Sequence, residues 1–197
     1  MRHPICNDLM KNSSREFRID GHKVKTLAQK YSTPIYCYSL KKIKTNIDNF
    51  KKNFKQINPL ICFSVKSNSN KFLLKEIGKL GLGADVVSIG ELVRALNSGI
   101  KPNQIVFSGV GKTANEIDYA IRKKILLINA ESKSEILQIE KIAKYQKKIV
   151  NIGIRLNPNI DAETLNQIST GKKENKFGVL EKTFINLVNY SKKSKNL

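Results

Sequence analysis

The stretch Ile61-Cys62-Phe63-Ser64-Val65-Lys66-Ser67-Asn68-Ser69-Asn70 carries an apolar run onto one lysine and then turns abruptly polar. A short run rich in β-favouring side chains, closed by a Ser/Asn cluster, predicts a buried strand over 61–66 that runs into a loop. Lys66 then stands at the strand's C-terminal end, with low-dielectric surroundings on one side and the loop on the other. An amine placed there can be partly desolvated and so made a nucleophile at neutral pH, as a lysine that captures a carbonyl group must be. The alternative is a lysine that snorkels from a strand edge into water. Taken alone, the stretch favours that alternative.

Downstream of it a rhythm sets in. The apolar run at 84–87 precedes a helical pattern from Ser88 with Leu92, Val93 and Leu96, stopped at Gly99. The runs at 104–107, 125–129 and 149–156 precede helical patterns over 113–123, 132–145 and 180–191. Strands and helices alternating every 20 to 25 residues or so predict about five parallel βα units, buried on both faces. A doubly wound sheet usually shows a glycine fingerprint in its first βα turn. Here that turn is Ser67-Asn68-Ser69-Asn70. Lys66, Asp85 with the Ser88 turn, Ser108-Gly109, Asn129 and Arg155-Leu156-Asn157 all fall at or just past predicted strand ends, where a (β/α)8 barrel builds its site. The expected fold is therefore α/β, a partial (β/α)8 TIM-type barrel. Upstream, the sequence predicts a short strand at 16–19, a turn at Asp20-Gly21 and a helix holding Val24, Leu27, Ala28 and Tyr31. A strand at 35–38 follows, then a helix capped by Ser39 that carries Leu40, Ile43, Ile47, Phe50 and Phe54.

Composition excludes several classes. The 197 residues are 40% hydrophobic and 26% charged, ordinary for a globular chain able to bury a core. No run of about 18 apolar residues suggests a membrane span, and residues 1–11 lack the apolar centre of a signal peptide. Cys6, Cys37 and Cys62 are an odd set without CxxC spacing, which points to reduced thiols in the cytoplasm. His3 and His22 are too few and too far apart for a metal site, so none is expected. A formal charge of +20 raises the question of nucleic acid. Only six of the 36 basic residues are arginine, the lysines are spread through every segment and aromatics are 7%. No specific nucleic-acid partner is expected from that pattern, which suits a compositional bias better than a binding surface.

Two glycine motifs fail on spacing. Gly81-Leu82-Gly83 is followed by Val86 where a dinucleotide fingerprint needs its third glycine. Ser108-Gly109-Val110-Gly111-Lys112-Thr113 ends like a P-loop, but the first required glycine falls at Val106. Asp85 inside an apolar strand needs a partner, which a lysine at the neighbouring strand end could supply, unless the aspartate simply faces water. The polar run 171–178 is too hydrophilic for the core and reads as a long loop.

Phe63-Ser64-Val65-Lys66-Ser67-Asn68 resembles the tyrosine-alanine-valine-lysine-alanine-asparagine motif of the fold type III, alanine-racemase-like pyridoxal phosphate enzymes. Further blocks narrow the resemblance to the diaminopimelate decarboxylase family. They are Gly83-Ala84-Asp85-Val86-Val87-Ser88 with Gly90-Glu91-Leu92, Val106 to Thr113, and Asn129-Ala130-Glu131-Ser132. Arg155-Leu156-Asn157-Pro158, Ile168-Ser169-Thr170-Gly171 and Glu174-Asn175-Lys176-Phe177-Gly178 complete the set, in the family's order, from about Leu27 to the end. Ile89 replaces a usual glycine and Leu165 a common histidine.

The resemblance implies that Lys66 carries pyridoxal 5'-phosphate, with Asp85 and Arg155 beside the cofactor. It implies decarboxylation of meso-2,6-diaminopimelate to L-lysine, and a family-like homodimer for a full-length protein. Other basic amino-acid decarboxylases of the same fold, or a non-enzymatic half that pairs with a second polypeptide, are the alternatives. The resemblance also makes residues 1–38 a flank that would join a β-domain and residues 39–197 the first part of the barrel. On that footing the chain is expected to be an incomplete piece, inactive alone, since the family's later strands carry the phosphate and substrate groups.

Overall fold

A computed structural model describes residues 16–160 and 177–197. The chain divides into two units, Met1–Pro59 and Leu60–Leu197.

In the first unit, β1 (Arg18–Ile19) pairs antiparallel with β2 (His22–Lys23). The two-residue connection Asp20-Gly21 has φ of +48° and +87°, the conformation that a tight hairpin turn demands at both central positions. Helix α1 (Val24–Tyr31) follows, then α2 (Leu40–Asn53). Ser39 caps α2 as its sequence suggests, its hydroxyl accepting from the Lys42 amide at 3.0 Å and donating to Asp20 Oδ1 at 2.5 Å. The strand expected at 35–38 does not form. Its β-favouring residues meet no partner strand among the described residues, Tyr36 is 90% exposed, and a lone strand leaves its backbone groups unpaired.

The second unit is a βα succession. Its strands are β3 (Cys62–Ser64), β4 (Gly83–Val86), β5 (Ile105–Phe107), β6 (Leu127–Ala130) and β7 (Ile152–Ile154). All four pairings are parallel and the spatial order is β3-β4-β5-β6-β7. Strands laid down in sequence order are those of a singly wound barrel wall, without the reversal that defines a doubly wound sheet. Helices α3 (Lys71–Lys79), α4 (Ile89–Asn97), α5 (Ala114–Lys123), α6 (Lys133–Tyr145) and α7 (Glu181–Ser191) follow their strands.

The expectation of strands buried on both faces needs correction. Ala84, Val86, Ile105, Phe107, Ile128 and Ala130 are fully buried, in the core that also takes Leu74, Ile77, Leu92, Ala95, Ile117, Ile136 and Ile139 from the helices. The alternate residues Ser64, Asp85, Val106, Leu127 and Asn129 are only part-buried. Side chains alternate across a strand, and on this second face the strands carry polar groups toward one end.

Three of the helices begin with the same device. Ser88, Thr113 and Ser132 each accept, through the hydroxyl, the amide of a glutamate three residues on: Glu91, Glu116 and Glu135. Each glutamate then reaches back to a backbone amide, at Val87, Thr113 and Glu131 respectively. Glu116 also accepts from the Ile89 amide at 2.9 Å, which ties the first turn of α5 to that of α4. Among the described residues no helix is long and apolar enough to cross a membrane.

Candidate active site

Lys66 does not end a strand. β3 stops at Ser64, and Val65–Ser67 form one 3-10 turn. Val65 points into the core, wholly buried, while Lys66 is exposed and, among the described residues, makes no hydrogen bond or ion pair. The polar run after it is consumed locally. Ser67 Oγ donates to the Ser64 carbonyl at 2.7 Å, Asn68 Oδ1 accepts from the Asn70 amide, and Asn70 Oδ1 accepts from Phe72 and Leu73 to cap α3. Arg94 reaches from α4 to the Ser69 carbonyl at 3.1 Å. These short-range bonds hold the backbone under Lys66 and leave its amine free. The desolvation expected for this lysine is therefore absent; what distinguishes it from the other exposed lysines is its place on the wall of a cavity.

The amine lines a cavity of about 610 Å³ at the C-terminal ends of the strands, with Asp85, Ser108, Asn129, Glu131 and Arg155 among its walls. All three residues singled out in the sequence, Lys66, Asp85 and Arg155, thus meet on one cavity. Asp85 lies in β4, paired with Ser64 in β3 and Val106 in β5. Its Oδ1 accepts from Ser108 Oγ at 2.6 Å and its Oδ2 from Ser64 Oγ at 3.5 Å. Asn129 Nδ2 in turn donates to Ser108 Oγ at 3.0 Å. Because Ser108 receives that bond, its own proton goes to Asp85, and the chain has one direction. Among the described residues, hydroxyl donors and not Lys66 are the partners of Asp85. Beside it in the sheet, burial pushes the Cys62 thiol up, with the Asp85 charge adding to the effect, which disfavours its thiolate form.

Arg155 follows β7 and belongs to a second branch. Its guanidinium donates to Glu131 Oε1 at 3.0 Å and lies over the Phe177 ring, 4.7 Å from the centroid. Glu131 is almost fully buried and also accepts the Gly178 amide at 2.9 Å. The Arg155 side chain stays 39% exposed, a fixed cation at the cavity wall. Lys112, in the segment that resembles a P-loop, turns inward. Its side chain is 1% exposed and its Nζ bonds Gly109 O, Asn129 O and Glu135 Oε1. It is spent on structure and cannot meet a phosphate in this conformation.

Sequence reasoning placed Ser108 and Asn129 at strand ends without a role and missed Ser64, Glu131 and Glu135 as participants. The recurring Ser/Thr-x-x-Glu spacing marks Glu135, whereas nothing in the local pattern marks Glu131 as the partner of Arg155. Leu165, 168–171 and 174–176 lie outside the described residues, as do Cys6 and His3. Among the described residues no three His, Cys, Asp or Glu side chains converge to hold a metal.

The donor set fits an aldehyde cofactor at its carbonyl end. A primary amine free of ion pairs stands on a braced turn, facing a cavity with an oriented carboxylate and a fixed guanidinium. Comparison with known proteins agrees. The family model "Pyridoxal-dependent decarboxylase, pyridoxal binding domain" matches residues 40–197. Diaminopimelate decarboxylase of Helicobacter pylori strain J99 is 52% identical over 168 residues, 85% of this chain and 42% of that protein. The Aquifex aeolicus enzyme of the same name is 40% identical over 191 residues, 97% of this chain and 45% of its own length. The crystal structure of the H. pylori enzyme complexed with L-lysine superposes with a TM-score of 0.85 at 50% identity, over 88% of this chain and 44% of that one. The M. jannaschii enzyme in complex with L-lysine gives 0.87 at 34% identity, over 96% and 46%. The chain spans less than half the length of the relatives it matches.

Proposed function

This chain belongs to the pyridoxal-dependent decarboxylase family, and on that premise we propose that it is the pyridoxal-binding portion of a diaminopimelate decarboxylase, with Lys66 as the residue that carries the cofactor. The observation that carries the reading is Lys66 itself, an unpaired amine on a braced turn at the cavity wall shared with Asp85 and Arg155. In this proposal residues 39–197 form the first part of the cofactor barrel and residues 1–38 a flank. The substrate is meso-2,6-diaminopimelate, as the relatives' name implies, and L-lysine the product. The partner is a second copy of the polypeptide, on family resemblance. A cytoplasmic setting is consistent with the free thiols of Cys37 and Cys62.

When bound, pyridoxal phosphate supplies an electron sink for the pair left by departing CO2. The protein's own residues bind and orient. Lys66 offers the amine that holds the aldehyde. Asp85, kept as an acceptor by the Ser108 and Ser64 hydroxyls, presents a fixed negative charge. Arg155, steered by Glu131 and Phe177, presents a fixed positive charge suited to a carboxylate or phosphate oxygen. Pre-set charges of this kind need no rearrangement when ligand arrives.

The test is to add pyridoxal phosphate to the full-length polypeptide that carries this chain, trap with borohydride and map the labelled peptide by mass spectrometry. Lys66 is expected to be labelled in preference to the other lysines, and Lys66→Ala to lose the cofactor absorbance. An unchanged spectrum in Lys66→Ala refutes the assignment. In the polypeptide that carries this chain, CO2 release from meso-diaminopimelate should vanish with the same substitution, and a preference for ornithine or arginine would refute the substrate.

A further inference from the structure

Lys112 and Glu135 form an ion pair that the chemistry above does not use. Their side chains are 1% and 8% exposed, and Nζ stands 2.6 Å from Oε1. Attraction offsets the cost of burying two charges only when the remaining donors and acceptors are bonded as well. Here they are. Besides Glu135, the lysine donates to the carbonyls of Gly109 at 2.7 Å and Asn129 at 2.6 Å. The second oxygen of Glu135 accepts the Glu131 amide at 2.9 Å.

These backbone groups are not arbitrary. Gly109 follows Ser108, whose hydroxyl orients Asp85, and Asn129 supplies the amide that aims that hydroxyl. Glu131 supplies the carboxylate that steers Arg155. Among the described residues the Asp85–Ser108–Asn129 branch and the Glu131–Arg155 branch share no side-chain bond. The Lys112–Glu135 pair ties the backbone of one to the backbone of the other. An apolar pair of the same volume would fill the space without making any of these ties.

We propose that Lys112 and Glu135 are positioning residues, a buried strut that sets the two charged walls of the cavity at a fixed separation around Lys66. The inference rests on the reading of that cavity as the pyridoxal phosphate site. Lys112→Met/Glu135→Met removes both charges together and so avoids an orphaned ion. The readout is the rate at which pyridoxal phosphate and borohydride label Lys66, with labelling of the exposed lysines as the internal standard and the melting temperature as the control for folding. The double variant is expected to melt cooperatively within a few degrees of the parent while labelling at Lys66 slows by about tenfold or more, as misplacement near a reacting group does. A folded double variant labelled at the parent's rate overturns the proposal, because the pair is then structural only. Glu135→Gln decides the matter if the double variant does not fold. Lys112 and the Glu131 amide meet different oxygens of Glu135, so the glutamine must turn its NH2, a donor, toward one of these two donors, and Lys66 labelling must slow. Parental labelling in folded Glu135→Gln overturns the proposal equally. If the parent itself shows no preference for Lys66, the cofactor assignment has failed, and the strut with it.

Discussion

Gly153 lies opposite Asn129 in the register of β6 and β7, and a Cβ added there would stand 2.2 Å from Asn129 Oδ1. Asn129 Oδ1 occupies the space that a side chain at 153 would take, while its Nδ2 reaches Ser108. Gly153→Ala must rotate that amide, since the obstructing atom is the end of a side chain and not backbone. We expect a stability loss of about 1–3 kcal/mol, the usual range for overpacking, read as a lowered urea midpoint. Labelling of Lys66 by pyridoxal phosphate and borohydride should fall with it, because the Ser108 proton loses its direction. A variant as stable as the parent and equally labelled would show that the Asn129–Ser108 bond is dispensable. The same scale explains the placement of Lys66: among the described residues its amine has no partner, and Val65 beside it, fully buried, is the anchor that holds the turn.

At the scale of elements, the three helix starts with Ser/Thr-x-x-Glu do different amounts of work. At α5 the motif is a closed capping box, with Thr113 and Glu116 each satisfying the other's amide. Thr113→Ala should cost about 1 kcal/mol, as loss of an N-cap does, measurable by denaturant unfolding. Glu116 is held below the usual carboxylate range. Burial opposes this, but the Thr113 and Ile89 amides, the Thr113 hydroxyl and the Lys112 charge together outweigh it. A carboxyl lowered in the folded state stabilises fully above its ordinary value of about 4.3 and loses that contribution as the pH falls through the folded value. The melting-temperature gap between the parent and Glu116→Gln should therefore be constant near neutrality and close on acidification. A gap that widens in acid would refute the assignment. At α6 the same motif is diverted, since Glu135 caps with one oxygen and grips Lys112 with the other.

Over the whole molecule the charge is +20, yet the cavity is lined by two cations among the described residues, Lys66 and Arg155, the second of them held by Glu131. Lysines spread over a surface attract any polyanion through counterion release, without reading sequence. Any DNA binding is thus expected to be weak, insensitive to sequence and lost steeply as salt rises through the physiological range. Tight, sequence-selective retention in a gel shift would overturn that expectation. The parallel sheet in sequence order puts the strand ends of the second unit on one rim, which is why residues as distant as Lys66 and Arg155 line a common cavity.

Periodicity determined the βα succession, because helices and strands that bury one face must repeat their apolar residues at a fixed spacing. The polar residues interrupting those runs at strand ends located Lys66, Asp85 and Arg155, and the resemblance of the blocks around them pointed to the cofactor. Both are local signals, written within a few residues of each position. The pairings were decided only in three dimensions. Asp85 takes its donors from the strands on either side, at Ser64 and Ser108, Arg155 takes its acceptor from Glu131, and Lys112 folds inward onto Glu135 and not outward to a ligand. Each partner lies more than 20 residues away in the chain and is brought near only by strand register, so no spacing in the sequence could specify it.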